Sequence, residues 1–297
     1  MLSRPLIGIL LASSAGVFWG SMSIAAQYLM ESVSFDAIDL SALRLAGAGI
    51  LLLALETFVL REDVLAPFRD KKDRRDLLFY ALGMLGIQLT FFLSIRDANA
   101  ATAALTVTTG PLFVTGWTAY AEHRAITKEE WISIAALAMA GVSLLVTKGD
   151  FSTLDFSPAG VLWGIASAAC GAFCTVQPKR MLSRLPVGVV VGWGMTLDGA
   201  ILCLINPPDV AAVEWNLVTT GLYFYIAAVG TIAAFWCYLR SLAYISAPTT
   251  SLLANFEPLT AVVLGVLLLD LTLNTAELVG IALLAVMVFH LTRAKKK

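Results

Sequence analysis

Asn255, Glu257 and Pro258 share one four-residue stretch in the middle of a long apolar run, so an amide, a carboxylate and a helix breaker meet there. A proline in such a run removes a backbone donor and frees a carbonyl one turn earlier, which opens polar chemistry at a depth where backbone groups are otherwise paired. A related stretch, Thr106-Val-Thr108-Thr-Gly110-Pro111, ends 147 residues before Pro258. Ionisable groups at such depth are costly and face a cavity or a partner. With Arg44 and Asp198, Glu257 is one of three ionisable residues well inside the apolar runs, and it is the leading candidate for proton binding, for contact with a polar solute, or for an ion pair with Arg44. Gly110, Pro111 and Pro258 are the hinge candidates. A proline kink that only shapes packing, with Thr hydroxyls bonded to their own helix, fits the same residues.

Other side chains could touch a small polar molecule. Gln27, Gln88 and Gln177 interrupt apolar runs with amides, though each could equally bridge two helices. Thr106, Thr108 and Asn255 add hydroxyls and an amide, and Trp19 and Trp163 could wall a pocket. These two tryptophans end nearly repeated stretches, Ala15-Gly-Val-Phe-Trp-Gly20 and Ala159-Gly-Val-Leu-Trp-Gly164. Asp198 reads as a packing or interfacial residue, and Asp39 and Glu56 lie near enough to the ends of their run to snorkel. No catalytic set is visible. His123 falls in a loop and His290 near a helix end, no H-E-x-x-H occurs, and acidic pairs do not recur inside the runs. Cys170, Cys174, Cys203 and Cys237 lack the partners of a zinc site and read as small packing residues. Neither a metal nor a cofactor is expected.

The elements that must hold these residues are membrane spans. Of the 297 residues 59% are apolar and 14% charged, and runs of about 20 apolar residues, each enough to cross a bilayer, recur along the whole chain. Ten spans are predicted, over 6–30, 36–60, 76–96, 99–121, 129–147, 158–183, 186–206, 217–243, 246–269 and 274–293. The first is too long for a signal-peptide core and no small-residue cleavage motif follows it. Placing the N-terminus in the cytoplasm puts 17 of the 20 basic residues in cytoplasmic loops, with Arg96 and Lys148 outside and Arg44 within a span. The positive-inside rule thus sets both termini in the cytoplasm. The net charge of −1, with basic residues scattered over short loops, gives no case for nucleic-acid binding.

Shifting the chain by 147 residues without a gap superimposes the third to fifth spans on the eighth to tenth. Gly83 falls on Gly230, Ser94 on Ser241, Pro111-Leu112 on Pro258-Leu259 and Glu130 on Glu277. We therefore divide the chain into repeats over 1–147 and 148–297. Each repeat has an odd number of spans, so the second enters the membrane from the opposite side. Inverted repeats with matched helix breaks are a frequent plan of alternating-access transporters, with the lipid bilayer and a small-molecule substrate as partners. An intramembrane enzyme lacks material here, and a purely structural or receptor-like protein has no need of matched breaks.

The chain resembles the ten-helix, EamA-type branch of the drug/metabolite transporter superfamily over nearly its whole length. The resemblance rests on Phe18-Trp19-Gly20-Ser21, Ala42-Leu43-Arg44-Leu45, Thr108-Thr109-Gly110-Pro111-Leu112 and Asn255-Phe256-Glu257-Pro258-Leu259. Within that branch it is similar to bacterial aromatic amino acid exporters. That likeness implies efflux across the inner membrane through a central cavity between the two halves, of an amino acid or related metabolite. Other metabolite or drug transport on the same fold stays open, as does coupling to protons. The sequence departs from the family at Cys170-Gly171, where many members have Trp and a small residue, and at Glu122-His123-Arg124, where Gly-Glu-Arg is usual.

Overall fold

In the computed structural model the described residues are 3–33, 35–98, 106–107, 109–132, 143, 147, 149–153, 157–269, 274–276, 278–283 and 286. They are helical almost throughout, as apolar runs in lipid must be, because a helix pairs its own backbone groups where no water can. The first three helices are α1 (Arg4–Ser32), α2 (Ala37–Phe58) and α3 (Lys71–Asp97). The fourth span contributes α4 (Gly110–Ala121). The second half supplies α5 (Pro158–Val176), α6 (Val187–Ile205), α7 (Leu217–Ser241), α8 (Ala247–Leu253) and α9 (Phe256–Leu269). Most of the predicted fifth and tenth spans lies outside the described residues.

Among the described residues five helices are long and apolar enough to cross a membrane, on α1, α2, α5, α6 and α7. Helix α3 is as long but opens on Lys71-Lys-Asp-Arg-Arg-Asp76, which belongs at the headgroup level. Leu6, Leu10, Ile50, Leu51, Leu204 and Phe224 are exposed, a surface that suits lipid contact. Caps start the helices cleanly. Asp36 accepts from the N–H groups of Ile38 and Asp39 at the start of α2, and Asn216 does the same for Val218 and Thr219 at α7.

Helix α6 lies along α2, and α5 along α3, so the core joins the two halves of the chain. Gly199 makes the first pairing close, because a Cβ there would fall on the backbone N and Cα of Ala46. A Gly199→Val variant should therefore push α2 and α6 apart and lose about 3 kcal/mol of stability, read as a lower melting temperature in detergent. The core between them holds Leu45, Leu52, Tyr80, Met195 and Leu202. Glu56, expected to snorkel, is instead only 2% exposed and packs against Gly188 on α6, where the absence of a Cβ leaves room for its carboxylate.

At the start of α3, Arg180 bridges Asp73 (2.6 Å) and Asp76 (2.8 Å), and Arg184 reaches Asp70 and Asp73. The backbone N–H of Lys72, and then Arg184, hold the Asp70 carboxyl below its usual range. Gln177 donates to the backbone oxygen of Asp76 (2.9 Å) in the same cluster. These bonds tie the start of α3 to the turn after α5. Losing Arg180 leaves Asp73, whose side chain is 2% exposed, with only the more distant Arg184. Arg180→Ala should thus lower the melting temperature by a few degrees, and Arg180→Lys should recover part of the loss.

Candidate functional site

Both prolines stand in the first turn of a new helix, where a missing N–H costs nothing. Helix α4 restarts at Gly110 with Pro111 next, and α9 restarts at Phe256 with Pro258 third. At each break the backbone tightens into three-residue-back bonds, Thr109 to Thr106 (3.1 Å) and Leu112 to Thr109 (2.9 Å) in one half, Asn255 to Leu252 (3.2 Å) and Glu257 to Ala254 (2.9 Å) in the other. The spans predicted to bend are therefore interrupted rather than merely kinked.

The first helix of each half lies on the break in the other half. On α1 a Cβ at Gly16 would meet Phe256 Cβ and Ala254 O, and one at Gly20 would strike Glu257 O and Thr260 Cβ. On α5 a Cβ at Gly164 would strike the Thr106 hydroxyl, while Ser94 donates to the backbone oxygen of Gly160 (2.8 Å). The repeated Trp-Gly pairs thus share a packing role, and the tryptophans diverge. Trp19 rests on Phe235 and Tyr238, ring centroids 5.2 and 5.3 Å away. Trp163 is 38% exposed and its indole N–H donates to Asp97 (3.1 Å) at the end of α3.

Around the α8–α9 break the structure gathers a charged set. Arg44 on α2 donates to the Thr231 hydroxyl on α7 (3.3 Å) and touches the sulfur of Met22 on α1 (4.0 Å). Two carboxylates lie near its guanidinium without a direct ion pair, Asp198 on α6 beside the Gly199–Ala46 contact and Glu257 on α9 against Gly20 of α1. The Glu257 side chain is exposed, while its backbone packs on Gly20 of α1. Asn255, two residues before it, is buried with its amide nitrogen unpartnered. Thr231 reaches Arg44 because residues 226–233 of α7 wind as a π-helix, in which its hydroxyl donates to Ile226 O (2.9 Å). Such widened turns recur at functional sites.

Of the residues singled out from sequence, the structure brings Arg44, Asn255 and Glu257 to the α8–α9 break, where Pro258 lies in the backbone, while Trp19, next to the Gly20 contact, turns its ring to Phe235 and Tyr238. Thr106 packs on Gly164 of α5 at the other break, and Trp163, beside that glycine, bonds Asp97 instead. Gln177 sits in the Arg180 ion-pair cluster and does not join either break. Gln88 is half-buried on α3, while Thr108 and the Gln27 side chain lie outside the described residues. Sequence reasoning gave Asp198 a packing or interfacial place and did not single out Thr231. Asp198 is neither interfacial nor in apolar packing alone, being 0% exposed and facing a guanidinium.

The profile of the EamA-like transporter family matches the chain twice, over residues 6–147 and 158–293. The chain belongs to the EamA-like transporter family. It is therefore a small-molecule transporter and not an enzyme, carried on a multi-pass helical membrane fold. Among EamA-type relatives, the inner membrane transporter YicL of Salmonella typhimurium is 33% identical, with 93% of this chain and 92% of that protein covered. The inner membrane transporter YedA of Escherichia coli is 26% identical over 98% of this chain and 92% of its own. The threonine/homoserine exporter RhtA of Escherichia coli is 27% identical over 93% of this chain and 87% of its own. A crystal structure sharing 17% identity superposes with a TM-score of 0.82 over 97% of this chain and 96% of that one, which speaks to the fold alone.

Proposed function

We propose that the chain exports amino acids across the bacterial inner membrane by alternating access, through a central cavity between repeats 1–147 and 148–297 with both termini cytoplasmic. The observation that carries this reading is the pairing, two residues apart at one helix break, of an accessible carboxylate with an unpartnered amide donor. A zwitterion needs both, an acceptor for its ammonium and a donor for its carboxylate. Glu257 suits the first and Asn255 the second. Trp19, with Phe235 and Tyr238 behind it, offers an aromatic wall, which favours phenylalanine or tryptophan as cargo. Relatives named as inner membrane transporters support the location.

Kinship to a threonine/homoserine exporter supports a second reading, in which the cargo is a short hydroxylated amino acid. Saturable uptake of radiolabelled phenylalanine into proteoliposomes, challenged with unlabelled tryptophan, threonine and homoserine, decides between them. Block by tryptophan alone supports aromatic cargo, and block by threonine and homoserine alone supports the second reading. No saturable uptake of labelled phenylalanine or threonine under any gradient would withdraw amino acids altogether.

A further inference from the structure

Asp198 is fully buried on α6, and neither of its carboxylate oxygens has a hydrogen-bond partner. An ionised carboxylate in that condition is strongly disfavoured unless a cation offsets it. The groups that face it from neighbouring helices are Arg44 on α2, Tyr80 on α3 and Cys174 on α5. Tyr238 on α7 adjoins the last two, and Glu56 lies farther along α2 against Gly188. Arg44 is the one cation among them, and Glu257 draws on the same guanidinium from α9.

Charge counting then sets the states this group of three can adopt. One guanidinium faces two carboxylates in an apolar surrounding, so a proton or an incoming cation must neutralise the second carboxylate. Glu257 is exposed and Asp198 is not. An outside cation therefore meets Glu257, while the sequestered oxygens of Asp198 suit a neutral acid. We propose that Asp198 holds one exchangeable proton in the empty transporter, released when a substrate ammonium occupies Glu257 and frees Arg44 to pair with Asp198. One ammonium enters as one proton leaves, and no covalent bond changes. Proton and substrate then exclude each other, which makes the protein an antiporter driven outward by an inward proton gradient. The ammonium as trigger rests on the amino acid reading above; the proton on Asp198 does not.

Infrared spectroscopy of the purified, reconstituted protein at neutral pH tests this without substrate. Wild type should show the carbonyl stretch of a protonated carboxylic acid, shifted when aspartate carboxyls carry carbon-13 and absent in Asp198→Asn. Glu257→Gln should lose the same band, because Arg44, released from Glu257, then ionises Asp198. No band in wild type, a band that ignores the aspartate label, or a band that survives in Glu257→Gln overturns the proposal. The isotope arm assigns the band to an aspartate even if the Asp198→Asn variant fails to fold, and loss of the band in Glu257→Gln ties it to the aspartate that shares Arg44. Saturating phenylalanine or threonine should then abolish the band in wild type and release about one proton for each molecule bound. Binding that leaves the band intact overturns the coupling while amino acid transport stands. If neither amino acid binds, the cargo assignment fails, and the effect of Glu257→Gln on the band still decides whether Arg44 controls the proton.

Discussion

Replacing Glu257 by glutamine should remove saturable transport while leaving the protein folded. Glutamine keeps the shape of the side chain and its contacts with α1 around Gly16 and Gly20, where the backbone of the break does the packing. It loses the negative charge that an ammonium needs. A hydrogen bond to a charged group is worth about 2 kcal/mol more than none, so substrate affinity should fall roughly thirtyfold. Turnover should fall further if the same carboxylate must also exchange partners with Arg44. Binding measured by labelled amino acid and uptake in proteoliposomes separate the two losses. Unchanged affinity in Glu257→Gln would remove this residue from the binding site, and leave Asn255 and Trp19 to account for recognition.

Much of the scaffold behind that expectation is legible in the sequence because apolar run length has one reading in a bilayer. The predicted spans 36–60, 186–206 and 217–243 meet helices Ala37–Phe58, Val187–Ile205 and Leu217–Ser241, with ends differing by a residue or two. The break after Asn255 follows from Pro258 in the same way. What the sequence conceals is rotation. A helix apolar on every side gives no stripe from which to read its inward face, so Asp198 could not be told from a residue at the membrane surface. Its inward aim is set by the close α2–α6 contact at Gly199, one residue away. The π-helical turns of α7 carry no sequence signature either, and without them Thr231 would not be turned toward Arg44. The tryptophan pair teaches a related lesson. Equivalent positions in a repeat keep their backbone role, seen at Gly20 and Gly164, while their side chains take different partners.

Removing Arg44 should have the second large effect, and its rescue pattern identifies the ion pair that matters. Arg44→Met deletes the guanidinium near both carboxylates, and it also strips the Thr231 hydroxyl of its donor. Breaking a buried charge pair by removing one side costs about 3–5 kcal/mol, and the access of solvent to Glu257 should hold the loss to about 2 kcal/mol. If Arg44 pairs with Glu257 in the empty protein, the stranded anion is Glu257. Adding Glu257→Gln to Arg44→Met should then restore most of the lost melting temperature, whereas adding Asp198→Asn should restore little, since a neutral acid was already there. The opposite order of rescue would mean that Arg44 rests on Asp198, with the proton on the accessible carboxylate. Either pattern leaves transport abolished in Arg44→Met, because a set without its guanidinium has nothing to hand from one carboxylate to the other.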